Sequence, residues 1–505
     1  MDLILAASAF SAPNSAGISA FGSARAGDEG ADVHEVSLGL AKALHGLGHR
    51  VTLVAPYDPA QHASLGLARK LTPLKFPVGA PTHERVMFDT KLPSGVELTL
   101  LGGEPPREAT GTDRTERYAW FGHAVATFAL HRLGQAIEGA SELEAIVTVG
   151  EAAAFTNLAV REAARWPHEE GKPSPRMLAG LSRVAVVLDP SRDLRLPRER
   201  LAAAGIDPAL FTTEGLEFYG QASLLKGGAV GADRVAWLGA EALAAARKPG
   251  VAHKLDGFFR ARDAALLLGG GLDVDAWDPN TDPLLPFRYD AEEPGAKWAR
   301  LRPQVLSELE LDPDPQNTFL VVLGHLDAAQ EAVLAATLPR ALRGPLVVVR
   351  ASAGPVDETG ALARLERAHA GGTSGRGRVR VKGNVSEAVL RRLLAAADFS
   401  LVLGDDAAAT AARAALRYGT LPVVSPTPAH TEAVVDLLAD DRAKSGHGVV
   451  LAGVTEPDLF AGIQRAESLH TLPHFHEIAR RAMRLDLGFG RAARRLSREL
   501  AALEG

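Results

Sequence analysis

Cysteine is absent from this chain of 505 residues, and aromatic residues make up only 5% of it. The lack of cysteine excludes disulfide bonds, thiolate metal sites and a cysteine nucleophile. No apolar run approaches the roughly 20 residues that a membrane-spanning helix requires. The first residues, Met1-Asp-Leu, place an acid where a secretory signal carries basic residues. We therefore expect a cytoplasmic protein with no membrane partner.

Composition indicates a globular chain with more than one domain. Hydrophobic residues account for 46% of the sequence, which is enough to build two or three hydrophobic cores. The formal net charge of −6 argues against a nucleic-acid-binding surface, so no nucleic-acid partner is expected. The sequence predicts no bound cofactor.

Apolar runs of strand length alternate with segments of helical spacing along the chain. Leu3–Ala7, the helix-like Val36–Leu47 and Val51–Ala55 form a βαβ unit, which is typical of a parallel sheet. The alternation continues and predicts an α/β fold. Further strands are expected at 145–149, 184–188, 318–323, 346–350 and 378–382, a β-rich insertion at 73–101, and helices at 114–140 and 300–309.

The segment 264–283 connects two halves of similar size. It begins with a short apolar run that suits a buried strand, and three glycines, Gly269–Gly271, then permit a close approach of the backbone to a ligand or a neighbouring domain. Trp277 supplies a large rigid anchor. Asp278-Pro279 and Asp282-Pro283 favour extended backbone, as a crossing between domains requires.

The motif that begins Gly270-Gly-Leu-Asp-Val-Asp-Ala-Trp-Asp-Pro resembles a stretch of the bacterial glycogen synthases and plant starch synthases. These are retaining glucosyltransferases with a GT-B fold, in which two Rossmann-like domains face each other across a cleft. The resemblance extends over nearly the whole chain. It implies an N-terminal acceptor-side domain, a C-terminal donor-nucleotide domain and a final helix that crosses back, at 1–263, 264–475 and 476–505. Further specific matches lie at 215–220, 396–424 and 482–496.

The framework motifs match the family, whereas positions that the family uses for chemistry differ. By alignment the lysine of the family's Lys-Thr-Gly-Gly-Leu-Gly-Asp loop becomes Glu29, and Glu35 stands in for the aspartate. A carboxylate near a diphosphate is repelled by about 4 kcal/mol at 4 Å with an effective dielectric constant near 20. The family's His-Asn pair, which touches the transferred glucose, becomes Leu188-Asp189.

The donor side differs in the same way. The family's arginine and lysine, which hold the donor phosphates, correspond to His325 and to Gln330 or Glu331. An ordinary histidine is mostly neutral at pH 7. Asn384 replaces the tyrosine that stacks on adenine. Thr427-Pro-Ala-His430 replaces the glycine-rich phosphate loop, and its proline removes an amide donor.

Two residues remain as candidate catalytic groups by family position. Asp406 falls on the family's essential glutamate and is one methylene shorter, and His325 falls on the phosphate-binding arginine. The resemblance implies that the remaining ligand-binding positions line the cleft: Gly270, Gly271, Glu35, Tyr418, Thr420, Thr427 and His430.

Three hypotheses follow. The first is a glycogen-synthase-like protein without standard transferase activity, which binds an α-glucan or a protein partner such as a true synthase. The second is an active transferase or hydrolase with a rebuilt site for an altered donor or acceptor, or for a sugar nucleotide such as ADP-glucose. The third, metal binding by Asp405, Asp406 and His430, is the weakest, because paired surface acids are usually only solvated, and no metal site is predicted.

Overall fold

The structure is a computed structural model that describes residues 1–10, 30–77, 82–102, 114–135, 143–262, 265–295, 297–323, 326–352, 354–370, 378–404, 409–437 and 445–504. The predicted α/β fold is confirmed. The described residues form two compact units: unit 1 contains 1–10, 32–269 and 489–504, and unit 2 contains 270–488. Each unit has its own sheet and its own hydrophobic core.

Unit 1 is built on a mixed sheet in the order β13-β12-β8-β7-β1-β2-β6-β5-β3, with β4 paired to β5. The pairs from β13 to β6 are parallel, and the hairpin strands of the predicted insertion are antiparallel. The strands are β1 (Asp2–Ala7), β2 (Arg50–Pro56), β3 (Ala68–Arg69), β4 (Leu74–Pro77), β5 (Thr82–Lys91), β6 (Glu97–Gly102), β7 (Leu143–Val149), β8 (Ser182–Val187), β12 (Arg234–Trp237) and β13 (Leu266–Leu267). A separate antiparallel sheet contains β9 (Arg195–Pro197), β10 (Glu217–Phe218) and β11 (Gln221–Ser223).

The helices of unit 1 connect these strands. Ser223 begins one of them as its N-cap, since its hydroxyl accepts the amide of Lys226 at 3.0 Å. The helices are α1 (Gly30–Gly46), α2 (Pro59–His62), α3 (Arg114–Gly134), α4 (Glu151–Ala154), α5 (Thr156–Ala163), α6 (Leu224–Gly231), α7 (Ala240–Arg247) and α8 (Asp256–Arg260). Short 3-10 helices lie at Pro175–Gly180, Pro190–Arg192, Arg198–Arg200 and Pro208–Leu210.

Unit 2 has a fully parallel sheet in the order β16-β15-β14-β17-β18-β19. Numbered within the unit, this is the order 3-2-1-4-5-6 of doubly wound nucleotide-binding folds. Its four central strands are entirely buried, as strands covered on both faces should be. The strands of this sheet are β14 (Thr318–Val322), β15 (Leu346–Ala351), β16 (Val379–Lys382), β17 (Phe399–Val402), β18 (Leu421–Val424) and β19 (Val449–Val450).

The helices of unit 2 connect the strands of that sheet and follow the last of them. A π-helix, Lys297–Leu301, leads directly into the first of them. The helix expected at 300–309 therefore begins three residues earlier, and its first turn is a π-helix. The helices are α9 (Arg302–Glu308), α10 (Ala328–Ala341), α11 (Ala361–Ala368), α12 (Glu387–Ala396), α13 (Thr410–Arg417), α14 (Pro428–Ala433), α15 (Glu456–His470) and α16 (Phe475–Met483). The last helix of the chain, α17 (Gly490–Glu504), belongs to unit 1.

The bounds of the units differ from the expected domain bounds at two places. Residues 266–267 form β13 and pair with Ala236 and Trp237, so the segment before Gly270 stays with unit 1. Helix α16 stays with unit 2, and the change back to unit 1 comes at Phe489. There α17 is fixed by Arg495, whose Nη1 donates to the carbonyls of Leu267 and Leu268 at 3.0 and 3.1 Å.

No helix among the described residues combines the length and the apolar composition that crossing a bilayer requires.

Candidate functional site

In open α/β sheets, ligands bind outside the carboxyl ends of the strands where the winding direction reverses. In unit 1 this switch point lies between β1 and β7, which end beside Ser8 and Gly150. In unit 2 it lies between β14 and β17, which end beside Leu323 and Leu403.

Two aliphatic side chains and one hydroxyl group lie close to Gly150 at the switch point of unit 1. A Cβ atom added to Gly150 would lie 2.8 Å from Val33 Cγ2, 3.5 Å from Ser8 Oγ and 3.6 Å from Leu188 Cδ1. Val33 and Leu188 are both buried and carry no hydrogen-bonding atom in their side chains. Gly150 is therefore required by this close packing and by its φ of 90°.

Glu151, the first residue of α4, holds the turn that follows β8. Its Oε1 accepts the backbone amides of Leu188 at 2.6 Å and Asp189 at 2.7 Å. The side chain is buried, and burial raises the pKa of Glu151 from 4.5 to about 7, against the lowering effect of these amides. The Glu151 carboxylate thus fixes the backbone of Leu188 and Asp189 in place.

The predicted ligand residue on α1 is also buried. Glu35 lies inside unit 1, beside the buried His34, whose pKa burial lowers to about 4. The ring of His34 packs edge-on against Phe10 at 4.8 Å between centroids. Glu29, the residue that replaces the family's lysine, lies outside the described residues.

Gln330 spans the switch point of unit 2. Its Nε2 donates to the carbonyl of Leu403 at 3.1 Å, and its Oε1 accepts the amide of Asp327 at 3.0 Å. Asp327 in turn accepts the amide of Gln330 at 2.8 Å, which completes a capping box at the start of α10. Both polar atoms of this side chain are thus engaged within the protein, at a position that the resemblance aligned with a phosphate-binding lysine.

The neighbouring candidate, Glu331, faces a cation that the sequence analysis missed. Arg350 ends the apolar run of β15, and its Nη2 lies 3.7 Å from Glu331 Oε1. Only 4% of the Arg350 residue is exposed, its Nη1 donates to the carbonyl of Ala351 at 2.8 Å, and burial lowers its pKa. An arginine directly after Val-Val-Val was the available signal, because so polar a residue rarely ends a buried strand without a specific partner.

The segment that replaces the glycine-rich phosphate loop begins α14. The hydroxyl of Thr427 accepts the amide of His430 at 3.3 Å, and Pro428 has no amide hydrogen to offer. The buried ring of His430 places Nδ1 3.0 Å from Ser425 Oγ. The amide of His430 and the hydroxyl of Thr427 are therefore committed to each other.

Tyr418, which the resemblance places at the cleft, lies in the core of unit 2. Its hydroxyl donates to Asp282 Oδ2, which also accepts Arg391 Nη1 at 3.2 Å. The Arg391 guanidinium stacks on Trp277, 4.0 Å from the ring centroid. Burial and the Asp282 carboxylate raise the pKa of Tyr418. This network anchors the segment after Gly271 to unit 2.

Thr420 is equally internal. Its hydroxyl donates to the carbonyl of Leu394 at 2.6 Å and accepts Lys297 Nζ at 2.9 Å. Lys297 is fully buried, and its Nζ also donates to the carbonyls of Tyr418 and Gly419 at 3.1 and 3.0 Å. Burial lowers the pKa of Lys297 from 10.5 to about 7. This amine stands at the C-terminus of α13, where helix carbonyls lack internal donors.

Gly270 is half-buried and Gly271 is buried, directly before Leu272, whose amide donates to the carbonyl of Leu487 at 2.9 Å. The candidate catalytic residues His325 and Asp406, with Asp405, lie outside the described residues. Within the part of the chain that the structure describes, no group of three His, Asp or Glu side chains could hold a metal ion.

Comparison with known proteins relates this chain to one family. It is 30% identical to a glycogen synthase of Syntrophotalea carbinolica over 305 residues, covering 59% of this chain and 61% of that protein. It is 32% identical to a glycogen synthase of Yersinia pseudotuberculosis over 311 residues, covering 60% and 61%. The matched segment thus spans about three fifths of these relatives. No family profile matches the chain.

Two solved structures share the fold. The catalytic domain of starch synthase IV from Arabidopsis thaliana, bound to ADP and acarbose, superposes with a TM-score of 0.77 at 17% identity, over 100% of this chain and 99% of that one. Sucrose-phosphate synthase from Thermosynechococcus elongatus gives 0.52 at 13% identity, over the same shares. The fold is therefore GT-B. Taken with the sequence matches, the resemblance to the glycogen and starch synthases is confirmed.

Proposed function

We propose that this chain is a glycogen-synthase-like protein that binds an α-glucan but does not carry out the standard transfer of glucose from a sugar nucleotide. The observation that carries the proposal is the bridge from Gln330 to the Leu403 carbonyl. It occupies the switch point of unit 2 with a neutral side chain whose hydrogen bonds are already made. Transfer must expel a nucleoside diphosphate, and preorganised positive charge is the usual means of stabilising that leaving group.

Charge at the same edge supports this proposal. Arg350 is a cation there, but it is buried and faces Glu331 at 3.7 Å, so its charge is partly balanced within the protein. The amide of His430 is held by the Thr427 hydroxyl. Loss of one preorganised donor typically lowers a rate by about 10²–10³, and several such losses would multiply.

The edge of unit 1 supports it independently. Leu188 and Val33 pack around Gly150 together with the Ser8 hydroxyl, and Leu188 stands where the resemblance places a hydrogen-bonding partner for a sugar hydroxyl. Aliphatic groups cannot provide that partner, and an unpaired buried hydroxyl costs about 1–3 kcal/mol. A glucan chain bound elsewhere on the protein makes no such demand, because a neutral sugar needs neither phosphate-binding cations nor a leaving-group site.

The alternative is an active glucosyltransferase that uses ADP-glucose, or an altered donor, with a rebuilt site. Arg350 is the observation that favours it, because a cation does stand at the end of β15. To reach a ligand, its buried guanidinium would have to turn away from Glu331. In this alternative Asp406 remains the carboxylate of the site.

Calorimetric titration of the full chain with maltoheptaose, ADP and ADP-glucose separates the two. The proposal expects heat of binding with maltoheptaose and none with either nucleotide. Binding of ADP-glucose that disappears in both Asp406→Ala and Arg350→Ala would overturn the proposal in favour of the alternative. A protein that binds neither glucan nor nucleotide would contradict both.

A further inference from the structure

The hairpin β10–β11 in unit 1 presents an aromatic ring to solvent. Tyr219 lies at its tip and is 70% exposed. Of the Phe, Tyr and Trp side chains that the structure describes, it is the one that is exposed to this degree. Next to it, a Cβ atom added to Gly220 would meet nothing within 4 Å, so the surface at the tip is open.

The backbone holds this ring in a conformation that a tyrosine rarely adopts. Tyr219 has a φ of 51°, in the left-handed region that favours glycine or asparagine. Lys226, in α6, fixes the hairpin, because its Nζ donates to the carbonyls of Thr213 at 2.6 Å and Glu217 at 2.7 Å. The Glu217 side chain also accepts the amide of Gly220 at 2.8 Å. Strain of this kind, held by its surroundings, is typical of functional positions.

A second strained turn lies against the same ring. Lys254 has a φ of 71°, and its Nζ lies 4.9 Å from the centroid of Tyr219. The preceding residue, His253, has a φ of 46°, and its carbonyl accepts Arg195 Nη2 at 2.7 Å. Its ring Nε2 lies 2.6 Å from the carbonyl of Ser191. These contacts of His253 fix the turn that carries Lys254.

We infer that Tyr219 is the stacking platform of an α-glucan contact site, with Lys254 and Gln221 beside it. The inference rests on the proposed function and locates the glucan-binding site at the β10–β11 hairpin. The C–H face of a pyranose packs against an aromatic ring, while its hydroxyls require donors and acceptors at the rim. The ammonium of Lys254, 4.9 Å from the ring centroid, is a donor, and the exposed Gln221 at the start of β11 carries both a donor and an acceptor. A protein partner would instead favour a contiguous apolar patch, and here the exposed ring is bordered by polar residues.

The conformation of Tyr219 makes a clean test possible. Tyr219→Asn removes the ring and suits the left-handed backbone better, so the variant should fold at least as well as the wild type. Tyr219→Phe keeps the ring and loses only the hydroxyl. Leu71→Ala is the matched control, because Leu71 is a fully exposed apolar side chain outside this hairpin. Affinity for maltoheptaose and for glycogen is measured with the full chain, by calorimetry and by retardation in native gels.

The inference expects Tyr219→Asn to weaken glucan binding about tenfold, the size of one aromatic contact, while Tyr219→Phe and Leu71→Ala stay within about twofold. Wild-type binding that Tyr219→Asn leaves unchanged would overturn the inference alone and leave the proposed function standing. Equal weakening in Leu71→Ala, or loss in Tyr219→Phe, would overturn the stacking role. Absence of glucan binding in the wild type would overturn the inference and the proposed function together.

Discussion

The side-chain amide of Gln330 donates to the carbonyl oxygen of Leu403 at 3.1 Å, across the point where the winding of the unit 2 sheet reverses. This contact joins the start of α10 to the end of β17. In a fold of this order a nucleotide usually binds at this edge of the sheet, and the Gln330 amide there is engaged within the protein.

Substitution of Gln330 should therefore affect stability. Gln330→Ala removes both the capping-box bond to Asp327 and the bond to Leu403, and we expect a loss of about 1 kcal/mol, or roughly 2–4 °C in the melting temperature. Gln304→Ala is the matched control, because the Gln304 amide contacts only Glu308 on the surface among the described residues. An unchanged melting temperature for Gln330→Ala would show that the bridge does not form.

The Tyr418 hydroxyl stabilises the segment that follows Gly271, because it donates a hydrogen bond to the Asp282 carboxylate. Tyr418→Phe should lower the free energy of unfolding by about 1–3 kcal/mol, because the buried Asp282 carboxylate loses a donor. Tyr219→Phe, on the surface, should stay within about 0.5 kcal/mol. Thermal unfolding of both variants checks this, and equal melting temperatures would contradict the network described for Asp282.

Lys297 should make the stability of unit 2 depend on pH. Its folded pKa, about 7, lies below its unfolded value of 10.5, so the unfolded chain binds the extra proton between these values. The contribution of Lys297 to stability therefore rises as pH increases from about 7 to 10. The neutral amine still donates to the carbonyls at the end of α13, which Lys297→Met leaves unpaired.

We thus expect Lys297→Met to be destabilised by at least about 1 kcal/mol at pH 9 and by less at pH 6. The exposed Lys382, changed to Met, is the control. Melting temperatures of the wild type and the variant between pH 6 and pH 9 test this direction. A difference in melting temperature that becomes smaller as pH rises would contradict the lowered pKa of Lys297.

Glu151 should make the free energy of unfolding decrease as pH rises, which is the opposite of the effect of Lys297. Its folded pKa, about 7, lies above the unfolded value of 4.5, so its stabilising contribution is complete below about pH 4.5 and is lost as pH rises through 7. Glu151→Gln stays neutral and should gain about 1–3 kcal/mol on the wild type between pH 5 and pH 8. Glu170→Gln, at an exposed position, should show no such trend. A pH-independent difference for Glu151→Gln would contradict a protonated buried carboxyl.

Much of the fold was readable from the sequence because apolar runs and helical spacing report burial directly. The strand expected at Val51–Ala55 appears as β2, and that at Leu346–Arg350 as β15. The helix expected to reach Ala140 is described only to Gly134, and 136–142 lie outside the described residues. Periodicity cannot show that 297–301 winds as a π-helix.

The site was less readable, because its chemistry depends on which side chains already have partners. The sequence shows that Leu188 cannot hydrogen-bond to a hydroxyl, but only the structure shows that Val33 also lies against Gly150. Alignment placed Gln330 near phosphate but could not show that Leu403 accepts its amide. Alignment likewise placed Tyr418 at a cleft, while its buried bond to Asp282 depends on a contact 136 residues away in the chain. Asp406 and His325 remain predictions.

The most direct test of the account is release of nucleoside diphosphate from ADP-glucose and from UDP-glucose by the full chain, with glycogen present and Asp406→Ala beside it. The account predicts no release above the level of Asp406→Ala with either donor. Sustained release by the wild type that disappears in Asp406→Ala would contradict it, and would mean that the transfer chemistry has been rebuilt around that carboxylate.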